Sequence, residues 1–182
     1  FINKEKNEKA TRIEFIFELI SKKYSEDNKE KFPELIDLDK SKSIDRYYEF
    51  HIINHYLKNG KSNENLWSEV KNYFRILNEW YEDKEFFHKI GFLIIYSKKT
   101  MLDFIAEYIK DNSTKKEFRN FLDGEIKKIF ENIEIEELNY EKDKEPIRKV
   151  LLWFNISTII QNEESNLRFQ FDRYKKQKWD IE

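Results

Sequence analysis

The sequence predicts an all-α fold: an irregular bundle of six or seven helices with a short extended C-terminal tail. Three observations lead there. Only three Gly and two Pro occur in 182 residues, which leaves few tight reversals of the hairpin kind. Segment after segment repeats its apolar residues at steps of three and four, the period of a helix face. Helix boundaries are also marked, by Gly60 after one segment, Asp83 before another, and the capping box Thr114-Lys-Lys-Glu117 before a third. Hydrophobic residues make up 39% of the chain, below the usual share of about 45–50%. Sixteen Phe, ten Tyr and four Trp therefore have to supply the burial that Ala, Val and Leu supply elsewhere. A chain of this length has enough core for one domain, burying roughly 70% of the surface its unfolded form exposes.

In chain order, Thr11 to Tyr24 reads as the first helix, with Ile13, Phe15, Ile16, Phe17, Leu19 and Ile20 on a broad apolar face. The polar stretch Ser25 to Lys31 and then Phe32-Pro33 interrupt it. Ser43 to Lys58 is the second, carried by Ile44, Tyr47, Tyr48, Ile52 and Tyr56, and Gly60 sits where a C-terminal glycine belongs. Asn65 to Tyr81 has the clearest stripe: Leu66, Val70, Tyr73, Phe74, Leu77 and Trp80/Tyr81. Asp83 caps the next helix, which runs through Phe86, Phe87, Ile90, Leu93 and Ile94 to about Tyr96. Gly91 inside it costs about 1 kcal/mol relative to Ala, so a close approach by another helix is expected there. Thr100 to Lys110 is a further helix, and the capping box opens another that extends to about Asn132. Acidic Glu131 to Glu145 reads as a solvated connection. Pro146 suits the first turn of a last helix containing Ile147, Val150, Leu151, Phe154 and Ile159.

After Gln161 the pattern changes. Asn162 to Asn166 is turn-like, Leu167-Arg-Phe-Gln-Phe171 alternates with period two, and Trp179-Asp-Ile-Glu182 has the look of a strand beginning. The expected division is a helical domain over 1–161 and a linker leading into another module over 162–182.

Charge and composition exclude several classes. Thirty-four basic and thirty-six acidic residues give a formal net charge of −2, no global field for a polyanion. Any contact with nucleic acid has to be local. Cysteine is absent, so no disulfide framework or thiolate metal site exists, which fits a cytoplasmic protein. Apolar runs fall short of the roughly 18 residues a membrane span needs. Phe1 follows no Met and no signal peptide is visible, so the chain is expected to be an excerpt from a longer one. A Walker loop, a dinucleotide glycine fingerprint, a His-Glu-x-x-His pair and a calcium loop are all missing.

Some residues carry chemistry worth weighing. His51 and His55 are four apart on one helix, a spacing that lets two imidazoles meet one metal, but no third ligand is nearby in sequence and no metal is expected. His88, between Phe87 and Ile90, reads as a core histidine bonded to a carbonyl. Arg46 and His51 form an Arg-x4-His pair. Arg168, Arg173, Lys175, Lys176 and Lys178 form the one dense basic run, interleaved with Phe169, Phe171, Tyr174 and Trp179, the mixture a DNA-contacting segment uses for phosphates and stacked bases. The bland alternative is a solvated lysine loop anchored by its aromatics. The clustered Glu134, Glu136, Glu137 and Glu141 read as a solvated face rather than a catalytic pair.

Two resemblances follow from these residues. Arg46 and His51 resemble the active-site pair of HEPN-type ribonucleases, which implies His51 as general base and Arg46 as stabiliser of the transition-state phosphate. A larger set of segments resembles the GmrSD-type restriction family: Arg12-Ile-Glu-Phe-Ile-Phe-Glu-Leu-Ile20, Leu66-Trp-x-x-Val-x-x-Tyr-Phe74, Glu79-Trp-Tyr81, His88-Lys-Ile-Gly-Phe-Leu93, Leu151-Leu-Trp-Phe-Asn155, Arg168-Phe-Gln-Phe-Asp172 and Lys178-Trp-Asp-Ile-Glu182. Their order and spacing span nearly the whole chain. Such proteins join an N-terminal ParB-like nucleotide-hydrolysing domain to a C-terminal HNH nuclease, and many act against modified or foreign DNA. This sequence has no Asp-Gly-Gln-Gln-Arg motif for the nucleotide site, and the nuclease histidine that follows Trp-Asp-Ile-Glu in the family would lie after Glu182.

The resemblance therefore implies a helical connector between two other domains of a phage-defence endonuclease. It carries no catalytic residue and no cofactor of its own; the nucleoside triphosphate and divalent metal belong to the parent. DNA and the flanking domains are the expected partners, with no membrane. Two alternatives stay open: an HEPN-like ribonuclease using Arg46 and His51, and a structural protein-interaction module, as a homo-oligomer or with another protein.

Overall fold

Aromatic side chains close both halves of the molecule. In the computed structural model, residues 12–35, 48–110 and 114–176 are described, and they fall into two compact units divided between Leu77 and Asn78. Eight α-helices have their ranges within these residues, and the described residues contain no β-strand. The fold is all-α.

In the N-terminal unit, α1 (Arg12–Asn28) packs against α2 (Tyr48–Lys58). Ile16, Leu19, Ile20 and Tyr24 are the buried positions of α1, spaced as a helix face requires. Tyr24, Leu35, Tyr48, Ile52 and Tyr56 form one buried cluster, with Phe32, Leu57 and Leu66 against it. Helix α1 runs four residues further than its sequence suggested, through Ser25 to Asn28. Ser25 is buried and the Asn28 amide donates to the Tyr24 carbonyl at 2.9 Å, so the polar stretch is held in the last turn. The start of the second expected helix, Ser43 to Tyr47, lies outside the described residues. Its end is as read: Gly60 has φ of 92°, the left-handed conformation that glycine adopts without strain just past a helix C-terminus.

Helix α3 (Asn63–Glu82) continues across the division between Leu77 and Asn78. Val70, Tyr73, Ile76 and Trp80 are its buried positions, whereas Phe74 and Tyr81 are about half exposed at 51% and 49%. The expected stripe was thus one position too wide on one side and lacked Ile76. Large aromatics at neighbouring positions leave the helix phase ambiguous in sequence.

The C-terminal unit is built on α4 (Lys84–Tyr96), which packs against α6 (Lys115–Phe130) and α7 (Lys144–Gln161); α5 (Met101–Tyr108) packs against α6. Every residue from Phe86 to Leu93 is buried, so α4 is the central element. Its N-terminus is closed as predicted, Asp83 accepting from the Glu85 and Phe86 amides at 3.0 Å. Two full capping boxes follow: Thr100 with Asp103 on α5, and Thr114 with Glu117 on α6. The core is a ring cluster. Phe118 stacks on Trp80 at 5.4 Å and meets Tyr108 edge-on at 4.9 Å and Phe86 at 5.3 Å. Such pairs add roughly 0.5–1.5 kcal/mol each beyond the area they bury. Phe92 continues the cluster to Trp153 on α7 at 5.0 Å and Phe130 on α6 at 5.8 Å.

Residues 131–143 form the expected exposed connection, with one 3-10 turn at Ile135–Glu137. On α7 the buried face is Ile147, Leu152 and Ile156; Leu151 and Phe154, expected inside, are 42% and 66% exposed. Apolar residues surround this helix, so periodicity alone does not select its face. The alternating stretch Leu167–Phe171 forms no strand: residues 167–170 are irregular, and Phe171 begins a short helix, α8 (Phe171–Lys176). Trp179 to Glu182, the other expected strand, lies outside the described residues. No helix of the described residues is long and apolar enough to cross a membrane.

Candidate functional site

The segment after α7 is fastened along α4 and the end of α3 by five contacts. First, the Lys84 ammonium donates to the carbonyls of Asn162 at 2.6 Å and Ser165 at 2.7 Å, gathering the end of α7 and the turn behind it. Second, the Arg168 guanidinium donates from Nε and Nη2 to the Tyr81 carbonyl at 3.1 and 2.6 Å, and from Nη2 to the Glu82 carbonyl at 3.2 Å. These carbonyls end α3 and have no partner within the helix, and a cation there also opposes the helix dipole. The same guanidinium lies over the Tyr81 ring at 4.7 Å and the Phe87 ring at 5.5 Å.

Third, His88 joins helix to tail. It is fully buried, its Nδ1 lies 2.6 Å from the Lys84 carbonyl, and its Nε2 lies 3.0 Å from the Phe169 amide nitrogen. An amide N–H can only donate, so Nε2 is bare and Nδ1 carries the proton of a neutral ring. Burial is the main reason its pKa falls below the ordinary 6.5; the cations Lys84 and Arg168 lower it further, against an opposing contribution from the Lys84 carbonyl. The expected carbonyl-bonded core histidine is present, with a second partner that sequence did not suggest.

Fourth, Phe171 fills a notch. A β-carbon placed on Gly91 would lie within 2.6 Å of Phe171 Cδ2 and closer still to Cε2, far inside normal contact. The close approach expected at Gly91 is made by the ring of Phe171, the first residue of α8. Tyr174 completes the strap, its hydroxyl 2.5 Å from that of Tyr96. Burial, then this bond, raises the Tyr96 pKa.

Of the basic run, Arg168 is engaged with α3. Arg173 and Lys175 are exposed on α8. The Lys176 side chain and Lys178 lie outside the described residues. So does Arg46, leaving His51, which is exposed on α2, as the described member of the Arg-x4-His pair. His55 faces the Tyr24 hydroxyl and a Glu34 carboxylate oxygen, each at 3.2 Å, and packs on the Phe32 ring at 4.7 Å. Among the described residues no group of three or more His, Asp or Glu is arranged to hold a metal ion. Glu134, Glu136, Glu137 and Glu141 are all exposed.

Sequence reasoning did not anticipate Lys84 and Tyr96 as anchors. The signal for the strap was present in pieces: a helix-interior Gly, a histidine in an apolar run, and two phenylalanines with an arginine ahead of them. No family model, no curated protein and no solved structure matches this chain.

Proposed function

We propose that this chain is the helical connector of a DNA restriction endonuclease, coupling an N-terminal nucleotide-hydrolysing domain to a C-terminal HNH nuclease in phage defence. The observation that carries it is the strap. A tail bound through Lys84, Arg168, His88 and the Gly91 notch leaves α8 in one set position on the C-terminal unit. A connector needs such a mount if the state of one domain is to reach the other. The ordered segments resembling the GmrSD-type family support the same reading. Nucleotide and metal chemistry reside in the parent's flanking domains, and Arg173 and Lys175 touch DNA phosphates beside the nuclease.

The test uses the full-length parent. Gly91→Leu should abolish nucleotide-dependent cleavage while a minimal nuclease fragment cuts as before. Undiminished coupling in Gly91→Leu removes the connector reading, as does DNA cleavage by the purified 182-residue chain alone.

A second reading, a protein-interaction module, is favoured by the exposure of Leu151 and Phe154 on α7. It predicts concentration-dependent self-association in light scattering that Phe154→Ser abolishes; a monomer at every concentration counts against the homo-oligomer form.

A further inference from the structure

A cleft of about 390 Å³ opens in the N-terminal unit, between the ends of α1 and α2 and the side of α3. Its volume lies in the range of small-molecule sites, roughly 300–1,000 Å³. Three lysines reach it from three different segments: Lys23 from α1, Lys31 from the turn that follows, and Lys61 from the loop before α3. Elsewhere in the chain lysines are commonly paired, as Lys22 is with Glu18, Lys89 with Asp123 and Lys128 with Glu125. Lys23, Lys31 and Lys61 make no ion pair among the described residues. Two of them rest on aromatic faces instead: Lys31 Nζ lies 5.1 Å from the Phe32 centroid and Lys61 Nζ 5.9 Å from that of Tyr56.

The walls between the cations are rings. Tyr24 and Tyr56 meet edge-on at 5.1 Å, are largely buried, and have their hydroxyls committed, to His55 at 3.2 Å and Glu69 at 2.8 Å, so they form a fixed floor, while Phe32 is the partly exposed ring. Two carboxylates, Asp27 and Glu69, also border the cleft, leaving three cations against two anions. Glu69 already accepts from Tyr56, whereas the Asp27 carboxylate stands at the rim and repels a bound anion.

We propose that this cleft binds a nucleoside phosphate, the phosphate held among the lysines and the base against the Phe32 ring. Inorganic phosphate alone would leave the ring unused, and a neutral heterocycle would leave the ammoniums without a counter-charge.

Calorimetric titration of the full chain at low salt tests this with adenosine monophosphate, ribose 5-phosphate and inorganic phosphate. The nucleotide should bind, and the two ring-less phosphates should bind about tenfold or more weakly. Combined Lys31→Ala and Lys61→Ala, both exposed positions, should weaken the nucleotide by about tenfold or more, with the helical circular-dichroism signal unchanged. Should that variant lose its helix signal, Asp27→Asn serves: removing one carboxylate should tighten the nucleotide about threefold. No nucleotide heat at millimolar concentration overturns the proposal. So do equal affinity for inorganic phosphate, or binding indifferent to these lysines or to Asp27.

Discussion

Acid should loosen the tail before it unfolds the bundle. His88 is neutral, with its protonated nitrogen toward the Lys84 carbonyl and its bare nitrogen accepting from Phe169. A second proton turns Nε2 into a donor facing a donor, in a buried setting whose charged neighbours, Lys84 on α4 and Arg168 on the tail, are both cations. The folded-state pKa lies below 6.5, so between that lowered value and 6.5 the unfolded chain takes up a proton that the folded one refuses. The contribution is complete above 6.5 and disappears as pH falls through the folded value. Losing one hydrogen bond and stranding its donor costs about 1–3 kcal/mol, a factor of about 5 to 150 in the opening of the tail. Amide hydrogen exchange, corrected for its intrinsic pH dependence, reads this at Phe169. Protection there should fall on acidification while that of Leu122, in the middle of α6, holds. In His88→Gln the side-chain carbonyl accepts from Phe169 but does not titrate in this range, so the fall should vanish. An acid-insensitive Phe169 in the wild type refutes the reasoning, as does an unchanged fall in His88→Gln.

Gly91→Leu drives a side chain into the space of the Phe171 ring; overpacking of this kind costs about 1–3 kcal/mol, read by urea denaturation, with exchange accelerated first over residues 169–174. Thr114→Ala removes the hydroxyl that accepts from the Glu117 amide and should destabilise by about 1 kcal/mol, a loss of roughly 2–4 °C in melting temperature. Arg119 bridges Asp83 and Glu85, each at 2.8 Å, and lies over the Phe86 ring at 4.8 Å. Arg119→Lys loses the fork and the stacking, and should cost up to about 1 kcal/mol, with part of that difference gone at high salt.

Much of the helical framework is legible in the sequence because its signals are local. Asp83, Thr114 and Gly60 act within three residues of themselves, and each closes the helix end it predicted. The faces of α3 and α7 are less legible. Phe74 beside Tyr73, or Leu151 beside Leu152, offers two equally apolar phases, and only the neighbouring elements decide between them. Gly91 announced a close approach without naming the visitor, since the ring that occupies the notch comes from eighty residues away. Period-two alternation around Phe169 and Phe171 reads as a strand, but the Phe169 amide is bonded to the His88 ring and no strand occurs among the described residues. Phe171 is buried at the start of α8 and Leu167 is 65% exposed, although alternation would put both on one face. Arg168 looked like a hand for phosphate, and its donors are taken by two carbonyls that no sequence pattern links to it.

The distance between His88 and Phe169 also sets an order of events during synthesis. At roughly 5 to 20 residues per second, the 81 residues between them take the ribosome about 4 to 16 s. Throughout that interval α4 exists without its cover: the imidazole has one partner instead of two, the notch over Gly91 stands open, and the last carbonyls of α3 lack their guanidinium. A newly made C-terminal unit therefore exposes an apolar, half-satisfied groove that the finished protein hides. A stop codon in place of Asn162 would make that transient surface permanent.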